Sequence, residues 1–194
     1  MNLQKFGIKL FFQPNGSYPY RDFIPELHQW IQNDSIDDHL LIDVVDYSHI
    51  PDGPGIMLVA HEGHFSLDQE NFKPGLLYMR KKNISGSFKD RFNKVLSITI
   101  QSAQLLKNNN INIKLDFSNN SLRFISNDRR LVDNIDTNQK LYTDTVTKLF
   151  KENYPGSKFE FDNYSQREER FAFDVNFMDN TNILDYRTKE EGNE

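Results

Sequence analysis

The chain has 194 residues, 37% hydrophobic and 13% aromatic with sixteen Phe, and a formal net charge of -5. That apolar content suffices for one core without metal or disulfide staples, and the lack of cysteine excludes disulfides, thiolate ligands and a thiol nucleophile. Basic residues cluster only at Arg80, Lys81 and Lys82 and at Arg129 and Arg130, which speaks against nucleic-acid binding, and no run reaches the length of a membrane span.

The opening MNLQKFGIKLFF alternates lysine with apolar residues and lacks the length and small-residue cleavage site of a signal peptide, so a cytoplasmic protein is expected. Within it, Phe6, Ile8, Leu10 and Phe12 mark one face of a first strand. QPNGSYPY ends that strand, and DFIPELHQWIQ sets Ile24, Leu27, His28 and Ile31 at helical spacing with Pro25 in the first turn. HLLIDVV reads as a strand covered on both faces, DYSHIPDGPG as turns, and GIMLVA as a buried strand. LVAHEGHFSLDQENF continues from it as a polar loop, and LLYMRKK is a fourth strand.

Ser87 and Asp90 form a capping box for a long helix to about Lys107. INIKLDF, SNNS and LRFIS read as a hairpin. A helix from about Thr137 to Asn153 turns Tyr142, Val146, Leu149 and Phe150 inward. KFEFD and RFAFDVNF alternate as two more strands about the charged turn NYSQREER. The expected fold is α+β: a mixed, mostly antiparallel sheet of about eight strands with three helices packed on it. Residues 1 to 178 form the single domain and 179 to 194 a loose polar tail.

The phrases FIPELHQWIQ, LLIDVVDYSHIPDGPG, HEGHFSLD and PGLLYMRKK follow one another between about residues 8 and 82. In that order they resemble an uncharacterised family of small bacterial proteins. The resemblance implies no activity, cofactor or partner.

Charge is uneven. From Asp22 through Phe72 there are eleven Asp or Glu, no Lys or Arg, and all five histidines. Such a stretch repels phosphate and favours a cation or a partner with a basic surface; the plainer reading is a solvated acidic surface. The candidate cluster is Asp43, within the LLIDVV strand, with Asp46, His49, His61 and Glu62. A carboxylate buried in a strand needs a donor or a cation, and Pro/Gly loops can aim side chains.

For a divalent metal, Zn, Mn or Fe, the candidate ligands are His61, His64 and His39, joined by Asp37 or Asp38. HEGH lacks the helical spacing of the zinc-protease motif. If GIMLVA folds back on HLLIDVV, His61 lies near His39, while Asp46 and His49 lie at the far end, roughly 23 Å away at about 3.3 Å per residue. Two rival sites follow: the three histidines at one end, or Asp43, Asp46 and His49 at the other, with His28 if the first helix packs there. The function expected is a non-catalytic or accessory binding protein using this acidic half; the alternative is a metal-dependent hydrolase or oxygenase with a His/carboxylate site. Trp30 is expected to pack in the core, and the oligomeric state is left open.

Overall fold

A computed structural model describes residues 1–14, 20–108, 115–128, 130–133, 135–163 and 170–186. Strand β1 (Phe6–Pro14) is followed by helix α1 (Ile24–Gln32) and by four strands, β2 (Leu41–Tyr47), β3 (Gly55–Ala60), β4 (Gly63–Asp68) and β5 (Gly75–Arg80). Helix α2 (Phe88–Asn108), strand β6 (Leu115–Ser126), helix α3 (Asp136–Asn153) and strands β7 (Phe159–Asn163) and β8 (Ala172–Phe177) complete the order. The fold is α+β, with eight strands in the order β2-β3-β4-β5-β1-β6-β8-β7 and antiparallel pairing at each of the seven junctions. Among the described residues no helix is long and apolar enough to cross a membrane.

Alternation along each strand gives the sheet two unlike faces. One cross-sheet row runs Val44, Leu58, Phe65, Tyr78, Ile8, Phe124, Phe173. All three helices pack on this row's side: Trp30 of α1 meets Phe65 edge-on, Phe92 of α2 stacks on Phe124, and Tyr142 of α3 lies against Phe124. The core is therefore a single helix layer on one sheet face, built around Phe rings. The adjacent row, Val45, Met57, Ser66, Leu77, Lys9, Arg123, Asp174, Asp162, lies on the face that these helices leave uncovered.

Helix α2 starts as its sequence dictates: the Asp90 N–H donates to Ser87 Oγ at 3.3 Å and the Ser87 N–H to Asp90 Oδ2 at 2.7 Å. Helix α3 buries Tyr142, Val146, Leu149 and Phe150, as its periodicity requires. Helix α1 buries Glu26, Leu27 and Trp30, while His28 is exposed.

Four readings of the sequence are corrected. HLLIDVV is an edge strand and is not covered on both faces: Leu40 and Ile42 are 64% and 54% exposed. HFSLD is strand β4, because Phe65 and Leu67 alternate into the core while His64, Ser66 and Asp68 take the other face. The expected hairpin is one strand. Leu115 to Phe117 and Leu122 to Ser126 both pair with β1, and the extra residues between them bulge opposite Phe11; residues 111–114 lie outside those described. The stretch after residue 179 is anchored where it was expected to be loose, since Ile183 and Leu184 are buried and Ile183 O accepts from the Tyr154 hydroxyl at 2.8 Å. Residues 187–194 of that tail, and most of the NYSQREER turn, lie outside the described residues.

Candidate functional site

The helix-free face carries charges where an open sheet face would ordinarily carry solvated polar groups. Lys9 and Arg123 are neighbours in register on β1 and β6, and both are 0% exposed. Lys9 Nζ donates to Asp68 Oδ1 of β4 at 2.5 Å, reaching across β5, where Gly75 leaves room: a Cβ there would stand 2.6 Å from Lys9 Cε. Arg123 grips Asp174 of β8 through both Nε (2.6 Å) and Nη2 (3.0 Å), and Lys73 adds a contact at 3.2 Å. Three cations surround the Phe11 ring, with Arg123 Cζ at 5.2 Å, Lys9 Nζ at 5.6 Å and Lys73 Nζ at 5.7 Å from its centroid.

Desolvating each such ion costs several kcal/mol, which the pairing offsets only when the geometry is good. Burial pulls the Lys9 ammonium below its ordinary range against the opposing pull of Asp68. The network flanks two cavities. One, of about 400 Å³, lies between Phe11, Phe72, Lys73 and Asp174; Phe72 is 97% exposed on a left-handed backbone with φ 57°. The other, of about 280 Å³, brings Asp52 of the β2–β3 loop together with His64, Ser66 and Asp68 of β4. That loop is tied down by successive turns, Ile50 N–H to Tyr47 O and Gly53 N–H to Ile50 O, and by Gly55 (φ 62°), where a Cβ would lie 2.0 Å from Leu67 O.

The residues expected from sequence disperse. Strands β2 and β3 do fold back antiparallel, and the His61 N–H reaches Leu40 O at 2.9 Å. A bulge between Leu41 and Asp43 then breaks the alternation, so Asp43 shares a face with Val45 but not with buried Leu41. Asp43 is exposed, and its Oδ1 accepts from the Val44 N–H at 2.8 Å. Asp46, on the other face, takes Ser48 through its hydroxyl and N–H and Arg21 Nε at 2.6 Å, which together hold its carboxyl down to about 2. Glu62 Oε2 accepts from the Leu40 N–H at 2.8 Å; burial works to raise this carboxyl, but that bond and the neighbouring His39 and His61 hold it below the usual range. His49 is exposed in its loop, and His61 is exposed beside Lys5, Lys81 and Lys82.

His39 is buried on the helix side. Its Nδ1 donates to Asp37 O at 2.8 Å, and its Nε2 meets the Tyr78 hydroxyl at 2.7 Å, which also accepts from Arg80 Nη1 at 3.1 Å. A carbonyl only accepts, so the ring proton sits on Nδ1 and Tyr78 donates to Nε2. Burial pushes this imidazole below its ordinary range. His64 lies on the opposite face, so His39, His61 and His64 do not converge, and Asp38 is drawn off to Lys94 at 2.6 Å. Among the described residues no group of three or more His, Asp or Glu could hold a metal ion.

Lys9, Ser66, Asp68, Arg123 and Asp174 were not singled out from sequence. Comparison with protein-family models, with curated proteins and with solved structures finds no match. What these side chains do is therefore argued from their own geometry.

Proposed function

We propose that this chain is a non-catalytic binding protein whose ligand surface is the helix-free face of the sheet. One observation carries the reading: two fully buried cations and their carboxylates are held across that face between two cavities. Buried ion pairs of this kind carry a desolvation cost, and titratable groups perturbed by burial, as Lys9 is, cluster at functional sites. The acidic stretch from Asp22 to Phe72 enters the surface through Asp52, Asp68 and Glu70, while Asp43, Asp46 and Glu62 are occupied with backbone N–H groups. A ligand or partner presenting positive charge fits this carboxylate-rich part of the face.

The test is amide NMR of the full chain titrated with a mixture of small polar and aromatic fragments. Shifts gathering on Ser66, Leu77, Lys9, Arg123 and Asn176 are expected. Shifts confined to the helix side, or none at all, overturn the reading.

A further inference from the structure

The smaller cavity says more about its ligand, on the footing that the helix-free face is the binding surface. Its floor is apolar, made by Met57, Leu77 and Met79. Ser66 lines it and is only 4% exposed, yet among the described residues its hydroxyl makes no hydrogen bond. Asp68 Oδ1 takes Lys9 Nζ and the Glu70 N–H, and no described residue bonds its Oδ2. Asp52 and Glu70 add carboxylates at the rim, and the opposing cations are Lys9, held on Asp68 Oδ1, and the guanidinium of Arg170.

We propose that this cavity binds an alkylammonium group, carried either by a free primary amine or by a lysine side chain of a partner. An ammonium has three N–H donors for the Ser66 hydroxyl, the open Asp68 oxygen and a rim carboxylate, and its methylenes cover the methionine floor. A carboxylate or phosphate ligand would meet the carboxylates of Asp52 and Glu70 and the open oxygen of Asp68. A purely apolar ligand would seal Ser66 and Asp68 away from water without partners, which is penalised. Burial and nearby Lys81 keep the His64 imidazole below its ordinary range, so it adds no opposing charge at neutral pH. At about 280 Å³ the space lies just below the usual size of ligand sites, of order 300–1,000 Å³, and has room for a short alkyl chain with its ammonium head.

Methionine supplies the probe, because Met57 and Met79 line the cavity and the chain's other methionines, Met1 and Met178, do not. The full chain, methyl-labelled at methionine, is titrated with 1,4-diaminobutane, with acetyl-Gly-Lys-Gly-amide, and with the uncharged controls 1-pentanol and acetyl-Gly-Nle-Gly-amide. Saturable shifts of Met57 and Met79 with either amine, absent with its control, are expected; whichever amine binds more tightly identifies the source. Glu70→Gln and, separately, Asp52→Asn should each weaken binding, Glu70→Gln by about tenfold, the scale of one charge-assisted hydrogen bond. Equal shifts with amines and controls overturn the proposal, as does silence of Met57 and Met79 while fragments still perturb other parts of the face. Silence of the whole face to every probe overturns the binding reading itself.

Discussion

Lys9 and Asp68, 59 positions apart in the chain, meet at 2.5 Å on the face of the sheet away from the helices, with side chains 0% and 6% exposed. The pair joins the central strand to the meander β2 to β5, and its value depends on both members being present. Asp68→Leu or Lys9→Met alone leaves a buried charge without its counter-ion and should cost about 3–5 kcal/mol, whereas Lys9→Met with Asp68→Leu should be near neutral. Urea unfolding of the two single variants and the double variant measures this. Additive losses would show that the contact contributes nothing.

The path Lys9 takes to Asp68 runs over Gly75. A Cβ at that position would stand 2.6 Å from Lys9 Cε and 2.7 Å from Leu10 O, and the second of these is backbone that cannot move aside cheaply. Gly75→Ala should destabilise by about 1–3 kcal/mol, the usual range for overpacking. Combined with Lys9→Met it should lose part of that penalty, since the shorter, neutral side chain has no Nζ to hold on Asp68. Thermal melts of the single and combined variants check both statements.

What the sequence discloses and what it conceals divide along the two faces of the sheet. The inward set of α3, the Ser87 and Asp90 capping box and the antiparallel return of β3 on β2 are local patterns, and local periodicity suffices to read them. Strand β4 was hidden because histidine, serine and aspartate at 64, 66 and 68 read as loop polarity; the alternation with Phe65 and Leu67 was the available signal. Lys9, between Ile8 and Leu10, looks like a solvent-facing strand position, and nothing local says that Asp68 will cover it. The prominence of Asp43, Asp46 and Glu62 in the sequence reflects a different task. They hold backbone N–H groups along or beside the exposed edge strand, a relation set by strand order, which periodicity does not encode.

That task is open to test. Glu62 holds the Leu40 N–H and Asp43 the Val44 N–H, beside the exposed side chains of Leu40 and Ile42. Free strand edges with apolar side chains pair with other chains. Asp43→Ala with Glu62→Ala should therefore give concentration-dependent association by size-exclusion chromatography. A double variant that elutes like the parent protein at every concentration would show that these carboxylates do not guard the edge.

Buried His39 and half-buried His64 contribute to the acid side of the stability profile. Burial is the main cause that lowers the ionisation of both His39 and His64, with Arg80 and Lys81 adding to it respectively. The folded pKa lies below the unfolded value near 6.5, so the unfolded chain takes up protons first as pH falls. Stability is thus fully present above about pH 6.5 and declines as pH drops through the folded values of these two groups. Glu26 works against this at lower pH: burial raises its carboxyl, so its protonation favours the folded state. His39→Gln, which keeps a hydrogen-bonding side chain beside Asp37 and Tyr78 but cannot ionise, should flatten the slope as pH falls below about 6.5 relative to the parent. Melting temperatures of both proteins across that window measure the difference. Parallel curves would mean that His39 protonates as easily in the fold as out of it.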